Sequence, residues 1–194
     1  RTHQVRTLLG KMEQSGVDVA SSPAAQSARV AAEALDGQHR KAAKTLRQMQ
    51  ATGLAPAPLA YEALARAAAQ RGDVAAARQW VNLMESMGHE PGPAWGHVLE
   101  ALARGGFLDE ARVLYARMKL EGWLAPRPEH FRAYLRGIGP GAELRSVLAD
   151  LDAMELPPDA AIDAVRLAAA LAPNPSPNPN PDPNPNPNPN PKPG

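Results

Sequence analysis

Six residues of this chain return in order after a fixed interval. Tyr61, Leu64, Gly72, Ala77, Met84 and Gly88 are followed, each 34 residues on, by Trp95, Val98, Gly106, Ala111, Met118 and Gly122. An interval of this length fits neither one helix nor one strand. It is the length of a helical hairpin, and a chain built of such hairpins stacks them into an elongated solenoid. The register continues upstream with a slip of one: Gly37, Ala42, Met49, Gly53 and Pro56 stand 35 residues before Gly72, Ala77, Met84, Gly88 and Pro91. Val5, Leu9, Met12 and Gly16 read as the second half of one earlier unit. Downstream, Phe131 and Met154 lie 36 residues after Trp95 and Met118. Slips of this size fall between units, where loops absorb extra residues at little cost.

The unit from Pro58 to Pro91 explains itself residue by residue. Tyr61, Leu64 and Ala68 form an i, i+3, i+7 stripe, the buried face of a helix. Gly72 can take the left-handed conformation that ends a helix, and Asp73 is a good N-cap for the next. Ala77, Val81 and Met84 form the second stripe; Gly88 and Pro91 end it. The following unit repeats this with Trp95, Leu99 and Leu102, then Gly105-Gly106, then Ala111, Tyr115 and Met118. The small Ala at the head of each second stripe lets two helices approach closely, and the Met fills irregular space between units. One hairpin cannot bury both of its faces, so stability must come from neighbours. The expected fold is all-α, a right-handed α-solenoid of helix-turn-helix repeats. Its expected divisions are a half repeat at 1–19, repeats at about 20–56, 57–91, 92–126 and 127–158, and a terminal helix at 159–171.

From 172 to 194 the chain becomes a Pro/Asn alternation. Prolines at every second position remove amide donors, so a disordered, polyproline II tail is expected. Arg1 is not a methionine and enters in mid-repeat, so further repeat sequence is expected upstream. The formal net charge is only +1, which offers nucleic acid no strong overall field. There is no cysteine, which excludes disulfides, thiol catalysis and Cys-based zinc sites. The five histidines are scattered without metal-ligand spacing, and no apolar run reaches the length of a membrane span. No catalytic residues, no metal, no cofactor and no membrane partner are expected.

The residues that carry the period resemble pentatricopeptide repeat proteins. Tyr61, Gly72 with Ala77, Met84, and Gly88 with Pro91 stand where that family places an aromatic, a Gly-x-x-x-x-Ala turn, a Met and a Gly-x-x-Pro ending. Trp95, Gly106 with Ala111, Met118 and Gly122 do so again, with Pro126 displaced by one. The stretch Gly105–Trp123 is especially close. Tetratricopeptide repeats share the period but lack the Met and the Gly-x-x-Pro ending. The resemblance implies binding of single-stranded RNA inside mitochondria or, alternatively, chloroplasts. It also implies that the residue after the aromatic, paired with the last residue of the repeat, reads one base. Those reading positions are Ser27, Glu62, Gly96 and Arg132, with Ala57, Gly92 and Arg127 as repeat-end partners. Only Ser27 has the usual hydroxyl or amide side chain. Some members carry an appended deaminase or nuclease; with no cysteine and this tail, neither is expected here.

Basic residues offer a different contact. Arg40, Lys41, Lys44 and Arg47 share one second helix, with Arg40, Lys44 and Arg47 at i, i+4 and i+7. They suit phosphate contacts with structured RNA on the outer face, or equally a solvated surface. Arg104 is a further phosphate candidate. Trp80 and Trp123 fall outside the main stripes and read as exposed, whereas Trp95 occupies the aromatic slot of the core. The function expected is that of a non-enzymatic RNA-binding solenoid. It would be an architectural component of an organellar ribonucleoprotein, such as the mitochondrial ribosome, with ribosomal or other structured RNA and neighbouring proteins as partners. The alternatives are a protein-binding scaffold and a sequence-specific organelle transcript maturation, stability or translation factor.

Overall fold

The structure is a computed structural model. It describes residues 18–124, 127–155 and 158–171, with positions 5, 7, 10, 11 and 14–16 ahead of them. Leu9 and Met12 of the first half unit, Pro126, and the Pro/Asn segment from Pro173 to Gly194 lie outside the described residues. Among the described residues nine helices are delimited and no strand occurs. They are α1 (Pro23–Leu35), α2 (His39–Ala51), α3 (Pro58–Gln70), α4 (Val74–Ser86), α5 (Gly92–Arg104), α6 (Leu108–Leu120), α7 (Pro128–Gly137), α8 (Ala142–Ala153) and α9 (Ala160–Leu171). The first six are each 13 residues long, because the same stop signals recur at the same interval.

The turn at Gly72 shows how a hairpin is made. Gly72 has φ +76°, its N–H donates to Ala69 O at 3.0 Å, and the Asp73 N–H donates to Ala68 O at 3.0 Å. These two bonds satisfy carbonyls that the end of α3 would leave orphaned. Asp73 then accepts from the Ala76 N–H at 3.0 Å, capping α4. One residue thus closes one helix and opens the next, which fixes the hairpin angle.

Two rows of helices result. The first helices α1, α3, α5, α7 and α9 pack on one another in succession. The second helices form an outer row joined mainly by ion pairs: Arg78 to Glu110 from α4 to α6, and Arg112 to Glu143 from α6 to α8. Between the rows runs a core containing Tyr61, Val98, Leu99, Leu102, Phe131 and Leu151, all essentially inaccessible. Ala42, Ala77 and Ala111 head their stripes with no exposed surface, so no larger side chain fits where the two rows meet. Met49, Met84 and Met118 are buried one turn before the helix ends. The three tryptophans differ from the sequence expectation. Trp80 and Trp123 are half-buried against the core rather than exposed. The Trp123 ring stacks on Trp95 with centroids 6.3 Å apart, and the Arg117 guanidinium lies over both rings. A cation over two indoles explains why a tryptophan outside the stripe is nonetheless covered.

Candidate nucleic-acid interface

The four reading positions lie on the first-helix row, and each is already engaged by the protein itself. Ser27 is buried, 1% exposed; its hydroxyl donates to Pro23 O at 2.6 Å and accepts from the Ala57 N–H at 2.9 Å. Both hydrogen-bonding roles of the one hydroxyl among the reading positions are thus taken up within the protein. Ser27 and its repeat-end partner Ala57 bond to each other and staple α1 to the entrance of α3. Glu62 bonds Arg127 at 2.5 Å across two repeats. Gly92 is not open space either, since a Cβ there would meet Trp123 O at 2.8 Å. Gly96 lacks a side chain because the His130 ring occupies its place; an added Cβ would stand 2.5 Å from His130 Cε1, with Nδ1 and Cγ nearer still. Arg132 is partly exposed and ion-paired to Asp159 at the start of α9, with Nε donating at 2.9 Å.

Two histidines scattered in sequence meet in space. The His97 and His130 rings are 4.6 Å apart, edge to face, both nearly inaccessible. His97 Nε2 and both His130 nitrogens have no hydrogen-bond partner among the described residues. His97 Nε2 lies 3.7 Å from Glu62 Oε1, too far for a hydrogen bond. Among the described residues no group of three ligating side chains gathers as a metal site would require. The nearby His97 ring and the Arg127 guanidinium bonded to it hold the Glu62 carboxyl down to about 2, against the desolvation that would raise it. Burial, reinforced by His97 and Arg127, lowers His130 to about 3.

Both shifts act in one direction. An unfolded His130 takes up its proton near 6.5, so its contribution to stability is complete above that pH and is lost as the pH falls towards 3. Glu62 contributes fully above 4.5 and loses its contribution as the pH falls towards 2. The urea midpoint should therefore fall steadily from pH 7 to pH 4. In His130→Leu the slope between pH 6.5 and pH 4 should flatten. An identical slope in the two proteins would remove His130 as the cause.

The basic residues lie on the other row. Arg40, Lys41, Lys44 and Arg47 are all exposed on α2, which carries no carboxylate. Lys41 reaches back to Glu33 at 3.0 Å. Arg40, Lys44 and Arg47 have no ion-pair partner among the described residues. Most other cations of the second helices are paired, as with Arg112 to Glu143 and Lys119 to Asp150. Arg104 stands apart from this face. It ends α5 on the first-helix row, 3.6 Å from Glu100, and donates to Ala69 O at 3.2 Å. The sequence stripes gave no sign of Arg71. It caps α3, and its Nη1 donates to Ala67 O at 2.9 Å, which leaves its side chain beside Arg40 and Arg47 in one cleft.

This architecture defines a class, the α-solenoid of stacked helical hairpins. Several solved structures share it. The pentatricopeptide repeat protein PPR10, in complex with an 18-nt psaJ RNA element, is similar at a TM-score of 0.64 and 22% identity over 87% of this chain and 25% of that one. PPR10 from maize is similar at 0.60 and 18%, over 84% and 24%. The PPR domain of Arabidopsis thaliana protein-only RNase P 1, in complex with tRNA, is similar at 0.64 and 17%, over 88% and 91%. The chain spans about a quarter of the length of PPR10. A search of curated proteins finds no match. The PPR repeat family model matches residues 93–123, which contain Gly105–Trp123. Residues 93–123 are thus similar to one PPR repeat, and the chain as a whole shares the fold of the solved PPR structures.

Proposed function

We propose that this chain is a non-enzymatic RNA-binding solenoid that holds structured RNA through its phosphates rather than by reading bases. The observation that carries the reading is the exposed face of Arg40, Lys44 and Arg47, three cations at i, i+4 and i+7 with no carboxylate partner among the described residues. Unpaired cations at this spacing suit a backbone phosphate track, which fixes position without sequence information. The engaged reading positions support the same conclusion. Base reading needs side chains free to bond a splayed base, and Ser27, Glu62, Gly96 and Arg132 are committed to internal contacts. Solved relatives of the same fold are complexes with RNA. Within the family resemblance, the fitting role is an architectural part of an organellar ribonucleoprotein, such as the mitochondrial ribosome, with a chloroplast particle as the alternative. Neighbouring proteins of that particle are the further partners.

The test is the salt dependence of RNA binding. Replacing Arg40, Lys44 and Arg47 together by Gln should lower the slope of log affinity against log salt by about 2 to 3, at roughly 0.7–0.9 for each phosphate no longer neutralised. The three residues are exposed, so the helical circular dichroism should not change. An unchanged slope would overturn the phosphate reading. Co-sedimentation of the native protein with organellar ribosomal subunits in high salt checks the finer assignment.

A second reading, a protein-binding scaffold, draws on one observation. A cleft of about 520 Å³ at α7–α9, lined by Leu135, Leu144, Val165 and Ala168, is mostly apolar. It lies at the opposite end of the solenoid from α2.

A further inference from the structure

Among the described residues, ion pairs stitch the outer row from α4 to α6 and from α6 to α8 but not from α2 to α4. From α4 to α6 run Arg78 to Glu110 at 2.8 Å and Glu85 to Arg117 at 3.8 Å. From α6 to α8 run Arg112 to Glu143 at 2.9 Å and Lys119 to Asp150 at 2.6 Å. Among the described residues no ion pair joins α2 to α4. The reason lies in their sequences. Helix α2 has four Lys/Arg and no carboxylate. Helix α4 has one carboxylate, Glu85, already bonded by Trp95 Nε1 at 3.1 Å and faced by Arg117. By the repeat register, Ala43 stands where Arg78 stands one unit later, so the position that begins the next bridge carries no charge here.

What replaces the bridge is a cleft of about 210 Å³. Arg40 and Arg47 enter it from α2, Arg71 from the end of α3 and Trp80 from α4, with Leu64 beneath them and His39 beside them. Among the described residues no carboxylate lines it. In the equivalent cleft of the next repeat, the two arginines that line it are both paired, Arg78 with Glu110 and Arg117 with Glu85. Like charges gathered without compensation repel one another, and an anion bound among them relieves that repulsion. Guanidinium groups suit phosphate because their forked N–H groups match its oxygens. Arg71 spends one donor on Ala67 O and keeps the rest. Trp80 supplies what a simple anion hole would lack: an indole packed against the core on one side and lining the cleft on the other. A base stacks on such a ring whatever its identity. The volume is below that of a typical drug-sized pocket, which suits one nucleotide better than a length of peptide.

We infer that the cleft between α2 and α4 anchors one nucleotide of the bound RNA, its phosphate held by Arg40, Arg47 and Arg71 and its base stacked on Trp80. This rests on the RNA reading above and adds to it a discrete subsite that joins two repeats. A site with a stacking floor and a phosphate clamp selects an unpaired nucleotide in a structured RNA, not a sequence.

The experiment titrates the full chain with two probes, a 12-nucleotide oligouridylate and a hairpin RNA with one unpaired bulge nucleotide. Both should quench the intrinsic tryptophan fluorescence. In Trp80→Phe most of the quench should vanish while affinity changes by no more than about threefold. In Arg71→Gln the salt slope should fall by about 0.7–0.9, the equivalent of one neutralised phosphate. Arg145→Gln, an exposed change on α8, should alter neither quantity. RNA binding with an unchanged slope in Arg71→Gln and an undiminished quench in Trp80→Phe would overturn the subsite and leave the phosphate track of α2 standing. A wild-type chain that binds neither probe would overturn both. A phosphoserine peptide that binds more tightly than either RNA, in an Arg71-dependent way, would assign the cleft to a protein ligand and overturn the inference.

Discussion

Phe131→Ala is expected to cost about 3–5 kcal/mol and to remove one end of the solenoid before the other. Phe131 has no exposed surface, and removing a ring from such a site loses its transfer energy and leaves a cavity. Its ring lies 6.4 Å from Tyr115 at 86°, an edge-to-face contact that ties α7 to α6. In a stacked-repeat protein each unit is stabilised by its neighbours, so the damage stays local. The urea transition should split, with α7–α9 unfolding at lower denaturant than α1–α6. Leu120→Ala, at a site 85% exposed, should shift nothing by more than about 0.5 kcal/mol. A single transition at the wild-type midpoint in Phe131→Ala would refute the packing account.

The second large effect concerns Gly96, where the family pattern calls for a polar side chain. Gly96→Asn is expected to destabilise the protein by about 1–3 kcal/mol, the usual cost of overpacking. Two terms compete. Replacing a mid-helix glycine gains up to about 1 kcal/mol of helix propensity, less for Asn. Against this, the new Cβ would overlap the His130 ring, a buried group on the neighbouring helix. The clash is with a ring and not with the tip of a flexible chain, so it wins. His130→Ala in the Gly96→Asn background should recover part of the stability, and the two changes should be non-additive because they share one contact. Thermal melts of the two single variants and the double variant decide it. A Gly96→Asn protein as stable as wild type would show that the ring yields easily.

These two sites show how far the residues spoke for themselves. Phe131 was legible: it stands 36 positions after Trp95, and that spacing assigned it to the core, where it lies. The helix ends were legible as well, because Gly72, Gly88, Gly106 and Gly122 act through their own backbone conformation, with φ of +70° to +80°. Gly96 was legible only in part. The period located it as a position poor in reading chemistry, but nothing in the sequence says that a histidine 34 residues later fills the gap. Ser27 shows what the sequence leaves open. Its chemistry suits base reading, yet it is spent on the Ala57 amide, a bond between segments that the sequence does not bring together. Trp80 and Trp123 fall outside the apolar stripe, and only the approach of Leu64 and Arg71 in one case, and of Trp95 and Arg117 in the other, explains their partial burial.

The sequence by itself determined the helical hairpins, their length, their caps and the face each one buries. These depend on interactions within a turn or two of helix, and the fixed interval repeats them. The tertiary structure alone decided which charged groups are free. Arg78 and Arg40 are similar residues on similar helices, but one meets Glu110 across the outer row and the other meets Arg47 and Arg71. Charge balance at a surface depends on which side chain the next repeat presents. That is set by stacking between units, not by the pattern within any one of them.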